Sequence, residues 1–325
     1  MAPRSQRLIV PEPEDRVRLD ELLAVRFPLV PRREVRRRIR SGEVRVNGQE
    51  VQPGTPVRVG DVVELDASPE ESPRRKPAIP GLEVLHEDPA MVVVDKPAGL
   101  SVTPERGTVV SALLEAVTRE LARRGGAPED RPRVVHRLDR DTSGVLALAR
   151  TVEAARHLSR QWFLGSVEKE YLAVVEGEPA EEEGVIEVRL ARTAPQSQRM
   201  SVVRRGGKSA ITGFRVLERF RGFAFLTIRP KTGRMHQIRV HLAHVGHPLV
   251  GDDLYGGRPF HLSAHKASYK RGKHSIDRAL MARQALHATK LRCVSPFSEA
   301  SVTTEAPLPR DFESLLRSMR KYLSY

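Results

Sequence analysis

One cysteine, Cys293, occurs among 325 residues. That excludes a disulfide framework within the chain and a zinc site built from thiolates. No apolar run approaches the roughly 20 residues of a membrane-spanning helix. The opening residues, MAPRSQRLIVPEPEDR, have no apolar core of the secretory type. A cytoplasmic protein with no membrane contact is expected. Internal repeats are missing. The histidines at 236, 241, 244 and 247 are not spaced as His-Glu-x-x-His, so no metal site is expected.

Positive charge is abundant. Lys and Arg total 55 against 41 Asp and Glu, a formal net charge of +14, while 39% hydrophobic residues keep the chain globular. Such an excess favours a polyanionic partner. It also clusters: residues 32–45 carry seven arginines and two glutamates. That is more lopsided than an ordinary solvated helix face and reads as a phosphate-binding surface.

The cluster lies in a small N-terminal module. Leu19, Leu22 and Leu23 repeat at helical spacing and predict a short helix from Arg18. Pro31 suits the first turn of a second helix over 32–41, ended by Gly42. Val35 and Ile39 form its buried stripe. Arg32, Arg33, Arg36, Arg37 and Arg40 are the candidate RNA contacts, with Arg38 on the same helix. Val44-Arg45-Val46 followed by Asn47-Gly48 predicts a hairpin. The domain expected over 1–66 ends in a linker, 67–80, with four prolines. A larger domain follows over 81–325.

In that larger part the stretch Val134–Arg150 stands out. Two apolar runs, Val134-Val135 and Val145–Ala149, bracket the polar core His136–Gly144. A charge-dense segment between two buried strands reads as a functional loop on a rigid scaffold. Lys96, in the loop after a buried strand, reads as a surface residue within reach of phosphate. Tyr171 lies on a strand over 167–175, and a helix is expected to start at Gln237. His261–Arg278 carries five Lys or Arg and three His against Asp277 alone, a basic insertion suited to clamping RNA.

Several chemistries fit the polar loop. His136-Arg137-Leu138-Asp139 is similar to a kinase catalytic loop, but no Gly-rich nucleotide loop precedes it and no Asp-Phe-Gly follows. Asp139 and Asp141, two apart in a loop, need not face each other as a hydrolase pair. Asp139 alone, among Arg137 and Arg140, suits nucleophilic or electrostatic attack on a cation-like ribose carbon, since a guanidinium keeps a carboxylate charged and oriented. It equally suits a structural ion pair. From the loop itself both readings stand.

The nine residues His136–Gly144, HRLDRDTSG, resemble the signature of the RluA-type pseudouridine synthases. Further matches run in order along the chain: Val93–Leu100; Lys169-Glu170-Tyr171; Thr232–His241, continued by Gly246-His247-Pro248 and Gly251-Asp252; and Leu286-His287-Ala288. The N-terminal module resembles the alpha-L type RNA-binding domain through Arg18-Leu19-Asp20, the helix Arg32–Arg40, Val44–Gly48 and Gly60-Asp61. Two positions depart from the families, Pro31 where Ser is usual and Met235 where Thr is common.

The resemblance implies an α+β fold: a mixed, largely antiparallel central sheet with flanking helices, preceded by a small α/β RNA-binding domain. It implies isomerisation of uridine in structured RNA, ribosomal rather than transfer RNA, by a monomer without cofactor or metal. A non-catalytic RNA-binding or ribosome-assembly factor on the same fold is the alternative. By the same resemblance Asp139 acts on the ribose as nucleophile or base, and Arg239 pairs with it. Tyr171 packs on the base and serves the final deprotonation. His136, Arg137, Arg140, Arg234, His236, Gln237 and Leu291 bind substrate, Arg140 as a wedge and Leu291 in the base pocket. Thr142, Ser143 and Gly144 form the turn that holds the loop.

Overall fold

The structure, a computed structural model, describes residues 6–10, 17–26, 32–65, 82–104, 111–126, 131–194, 197, 199–266 and 279–325. The expected linker, Pro31, the side chains of Arg32 and Arg33, and 267–278 of the basic insertion lie outside the described residues. The chain divides into two compact units, residues 1–78 and 79–325.

In the first unit, strand β1 (Gln6–Ile9) is followed by helices α1 (Leu19–Arg26) and α2 (Arg32–Arg40) and by strands β2 (Val44–Val46), β3 (Gln49–Glu50) and β4 (Val62–Leu65). The sheet order is β1-β4-β2-β3. Asn47 and Gly48, at φ 52° and 77°, make the two-residue turn between β2 and β3. Leu19, Leu22 and Leu23 pack with Val35, Ile39, Val57 and Val63 in one core. The arginines of α2 do not form one open face, however. Arg38 is buried. Arg36 donates to the fully buried Asp20 at 2.6 Å and is a structural ion pair. Arg37 donates to Glu43 at 3.3 Å. Arg37 and Arg40 remain exposed.

The second unit is built on an eleven-stranded sheet. Its elements are β5 (Val84–Glu87), β6 (Met91–Lys96), α3 (Ala112–Arg123), β7 (Arg133–Val134), β8 (Ser143–Ala149), α4 (Val152–Leu164) and β9 (Glu168–Glu176). There follow β10 (Glu183–Arg192), β11 (Met200–Val203), β12 (Lys208–Phe220), β13 (Phe223–Pro230), α5 (Gln237–His244), β14 (Leu286–Val294), β15 (Ser301–Glu305) and α6 (Arg310–Tyr322). The order is β11-β10-β12-β13-β9-β14-β8-β6-β5, with β15 on β14 and β7 on β8. Among the described strands, β14 and β8 form the parallel pair and the others are antiparallel. The mixed, largely antiparallel sheet expected from the resemblance is therefore present.

Strand β8 is buried at all seven positions because both faces are covered. Val145, Ala147 and Ala149 pack against Ala154 and Leu158 of α4, and Leu146 and Leu148 against Leu113, Val117 and Leu121 of α3. Burial of one such large side chain stabilises by about 1.5–3 kcal/mol. Caps place these helices: Thr151 accepts from the Ala154 amide at the start of α4, and Gly165 at φ 73° ends it. Helix α6 lays Phe312, Leu315, Leu316 and Met319 over Phe225 and Val174 on another part of the sheet.

Two expectations are corrected here. Val134 is exposed on a two-residue strand, so the polar loop is anchored by a buried strand on one side only. Ser143 and Gly144 are not turn residues but the first residues of β8. Gly144, at φ 112°, lets β14 come so close that a Cβ would lie 2.1 Å from the Ala288 carbonyl oxygen.

Candidate active site

The loop 135–142 is held by two cations, one buried and one partly buried. Lys96, at the end of β6, is fully buried. Its amine donates to the carbonyls of Pro97, Leu100 and Arg140 at 2.9, 3.0 and 2.9 Å. It is a strut between two loops, not a surface phosphate ligand. Burial lowers its pKa to about 7, against the opposing charges of Asp141, Asp139 and Asp95. On the other side Arg283 donates to the Asp141 carbonyl at 3.0 Å and to Ser143 Oγ at 3.3 Å, and is itself gripped by Asp311. Ser143 Oγ lies 3.0 Å from His287 Nδ1, and His287 Nε2 lies 3.3 Å from the Ala306 carbonyl. Burial pushes His287 down to about 4, so it is the neutral ring that Ser143 can donate to.

Asp139 lies at the crest of this loop, its backbone carbonyl accepting from the Thr142 amide at 3.1 Å. Helix α5 brings Arg239 to it from a hundred residues on. Arg239 Nη1 donates to Asp139 Oδ2 at 3.2 Å. Its Nε and Nη2 donate to the two carboxylate oxygens of Asp252, each at 2.7 Å. Asp252 is fully buried and the guanidinium nearly so. A two-pronged grip on one edge leaves the third nitrogen pointing at Asp139 in a fixed direction. Tyr255 lies under the guanidinium, 5.1 Å from its carbon to the ring centroid.

The third wall is β9. Tyr171 is cross-strand from Ile228 on β13 and Ala288 on β14 and packs with Leu138, Leu146 and Ala288. Its phenol is pushed well above the ordinary range by burial, and further by the charge of Asp139. His236 completes the ring, its Nε2 3.9 Å from Asp139 Oδ2. Asp139, Tyr171, Arg239 and His236 are thus brought together from three elements.

Other expected site residues lie differently. His136 stacks on Trp162 at 4.4 Å, and its Nε2 accepts from the Ala147 amide at 3.0 Å. Burial takes its pKa down to about 3. Through these two contacts it braces the loop. Gln237 is buried and spends its amide on Thr232, Ile211, Thr212 and the Arg234 backbone, knitting the turn ahead of α5. Leu291 packs with Met91, Val93, Leu158 and Cys293, in a different cluster from Tyr171. A bulge between Ala288 and Lys290 shifts the register of β14 before it. Arg137, Arg140 and Arg234 are exposed, with Arg140 Nε donating to the Gly99 carbonyl and Arg234 Nε to that of Ser209.

Asp252, Tyr255, Lys96, Arg283 and His287 carry the geometry without having been assigned to it. The signal existed for some: Gly251-Asp252 and His287-Ala288 lie inside the matched boxes. Nothing in their spacing says that Asp252 faces Arg239. A recess of about 300 Å³ beside that pair is lined by Asp141, Arg239, Asp252, Arg283 and Gln284 among others. A wider one, about 1020 Å³, lies across the starts of β9 and β10 and the end of β13. It does not include Asp139, so the convergence of charged groups, rather than concavity, locates the site.

The chain is similar to known proteins. The family described as RNA pseudouridylate synthase matches residues 90–244, and the S4 domain matches residues 17–63. The "Ribosomal large subunit pseudouridine synthase D" of Xylella fastidiosa is 39% identical over 98% of this chain and 93% of its own. The protein of that name from Escherichia coli O6:H1 is 36% identical over 93% of this chain and 90% of its own. The solved "Human RNA Pseudouridylate Synthase Domain Containing 4" shares the fold at a TM-score of 0.56 and 24% identity, over 75% of this chain and 94% of that one. With near full-length identity of this order, the chain belongs to the RNA pseudouridylate synthase family and is an RNA-modifying isomerase.

Proposed function

We propose that the chain converts uridine to pseudouridine in large-subunit ribosomal RNA, with Asp139 as the group that acts on the ribose. The observation that carries this reading is the chain Asp252–Arg239–Asp139 facing Tyr171. The names of the full-length relatives favour ribosomal over transfer RNA. Asp139 opens the glycosidic bond by adding to the anomeric carbon or by taking the neighbouring ribose proton. The electron pair leaves with the uracil through N1. The ring turns and rejoins through C5 as the anomeric carbon parts from Asp139 or the ribose carbon regains its proton, and the proton lost from C5 is balanced by one gained at N1.

Arg239, held by Asp252, keeps the carboxylate aimed at the ribose. Tyr171 packs on the base as a neutral phenol. Burial and the charge of Asp139 both disfavour its phenolate. Arg137, Arg140 and Arg234, exposed around the loop, meet the strand from which the base is flipped. Flipping costs a few kcal/mol, which phosphate contacts, including those of Arg37 and Arg40, offset. Purified chain should form pseudouridine in unmodified large-subunit transcript. Asp139→Asn should abolish this and leave RNA affinity near wild type. Undiminished activity in the variant refutes the role of Asp139. Wild-type activity on transfer RNA alone refutes the substrate, and inactivity on every RNA tried points to a binding factor.

A further inference from the structure

His236 adopts φ 52°, ψ 21°, a left-handed conformation that side-chain-bearing residues rarely take. Its Nδ1 lies 3.0 Å from the Tyr255 hydroxyl. That hydroxyl already accepts the Met200 amide at 2.9 Å. Where the single proton of the phenol points at Nδ1, that nitrogen accepts it. The proton of a neutral His236 ring is then on Nε2, the nitrogen that looks toward Asp139. At 3.9 Å from Oδ2 the two do not hydrogen bond. The N–H stands beside the reacting carboxylate, placed for a third group.

We propose that His236 is a neutral hydrogen-bond donor to a uracil carbonyl oxygen of the flipped uridine, and that Tyr255 is the positioning residue that fixes its tautomer. This deepens the reading of Asp139 as the group that opens the glycosidic bond, and rests on it. When that bond breaks, the electron pair on N1 spreads to the carbonyl oxygens of the ring. A donor preset at one of them stabilises the charge as it develops. The donor must be neutral: an imidazolium would hand over its proton and quench the anion that has to rejoin through C5. Burial lowers the pKa of His236, and Arg239 and Arg137 oppose a charge there, against Asp139 and Asp252. Arg239 stands over the Tyr255 ring, so one cation braces both the carboxylate and the phenol.

Two measurements on the full chain test this. Long-range nitrogen–proton spectra of nitrogen-15 histidine-labelled protein should show His236 protonated on Nε2, and a mixed population in Tyr255→Phe. A wild-type ring protonated on Nδ1 overturns the assignment. In turnover of a ribosomal transcript, His236→Ala should lower kcat about 100-fold with little change in KM. His236→Gln, which restores a side-chain N–H, should recover about 10-fold of that loss. Tyr255→Phe should lower kcat about 10-fold in the wild-type background and not at all in His236→Ala. Losses that multiply, or no loss in a His236→Ala protein that melts like wild type, overturn the donor role. Full activity of Asp139→Asn would remove the catalytic reading underneath, while the tautomer measurement stands or falls separately.

Discussion

Replacing Asp252 by Ala removes both acceptors from the inner edge of Arg239. The carboxylate is fully buried, and its two bonds are the shorter ones, 2.7 Å each against 3.2 Å to Asp139. Stripping one partner from a buried ion pair costs about 3–5 kcal/mol. Asp139 remains as a counter-charge, so the lower figure, about 3 kcal/mol, applies. For a protein of this size that is a fall of roughly 6–12 °C in Tm. Activity should fall further than stability implies. Without its rear grip the guanidinium pivots about Asp139, and a displacement of about 1 Å at a reacting group costs about 100-fold in rate. Asp252→Asn keeps one acceptor oxygen and loses about 1.5–3 kcal/mol, the value of one charge-assisted bond. Release of tritium from C5-labelled uridine in a transcript measures kcat, and scanning calorimetry the Tm. Wild-type values of both in Asp252→Ala would refute the argument. So would a loss confined to KM, which would make Asp252 part of RNA binding.

Gly144→Ala should destabilise by about 3 kcal/mol or more, because its Cβ meets the backbone of β14 at 2.1 Å; an unchanged urea midpoint would show that β14 can move aside. Acid should weaken the protein through His287. Its folded pKa of about 4 lies below the ordinary 6.5, so the unfolded chain binds the extra proton between those values, and stability falls as pH drops through that window, by up to about 3 kcal/mol. His287→Gln should be less stable at pH 7 but flatter from pH 7 to pH 4, as read by urea unfolding at each pH; a parallel pH dependence in the variant would clear His287 of the effect. Arg37→Ala with Arg40→Ala should reduce the salt dependence of RNA binding by about one to two phosphate contacts. Arg36→Ala should instead lower stability by about 1–3 kcal/mol, by taking one cation from buried Asp20. Equal salt slopes in the two variants would contradict that division.

Local pattern made much of this molecule legible. The leucine spacing of α1, the Val35 and Ile39 stripe of α2 and the Asn47-Gly48 turn are short-range signals, and each appears where the pattern puts it. The boxes around Asp139, Tyr171 and Arg239, far apart in the chain, hold residues that the fold brings close together. Other residues have a type that is ambiguous without its neighbours. Lys96 reads as a surface residue and Arg36 as one of a basic cluster, while the resemblance assigns His136 and Gln237 to substrate. Each also has partners within the fold, Lys96 three carbonyls, Arg36 the carboxylate of Asp20, His136 the Trp162 ring and one amide, and Gln237 the turn ahead of α5. The resemblance puts Leu291 in the base pocket, and it packs in a different cluster from Tyr171.

The amino-acid sequence alone determined the polyanionic partner, the two-part organisation expected for it, and the loop that bears Asp139. These follow from composition, periodicity and contiguous motif, all readable along one dimension. Only the tertiary structure decided which carboxylate holds Arg239, which nitrogen of His236 faces Asp139, and which of the described arginines of α2 stay exposed. Those depend on pairings between residues 13 to 100 positions apart, and on burial, which turns a polar side chain from a ligand for RNA into a strut of the fold.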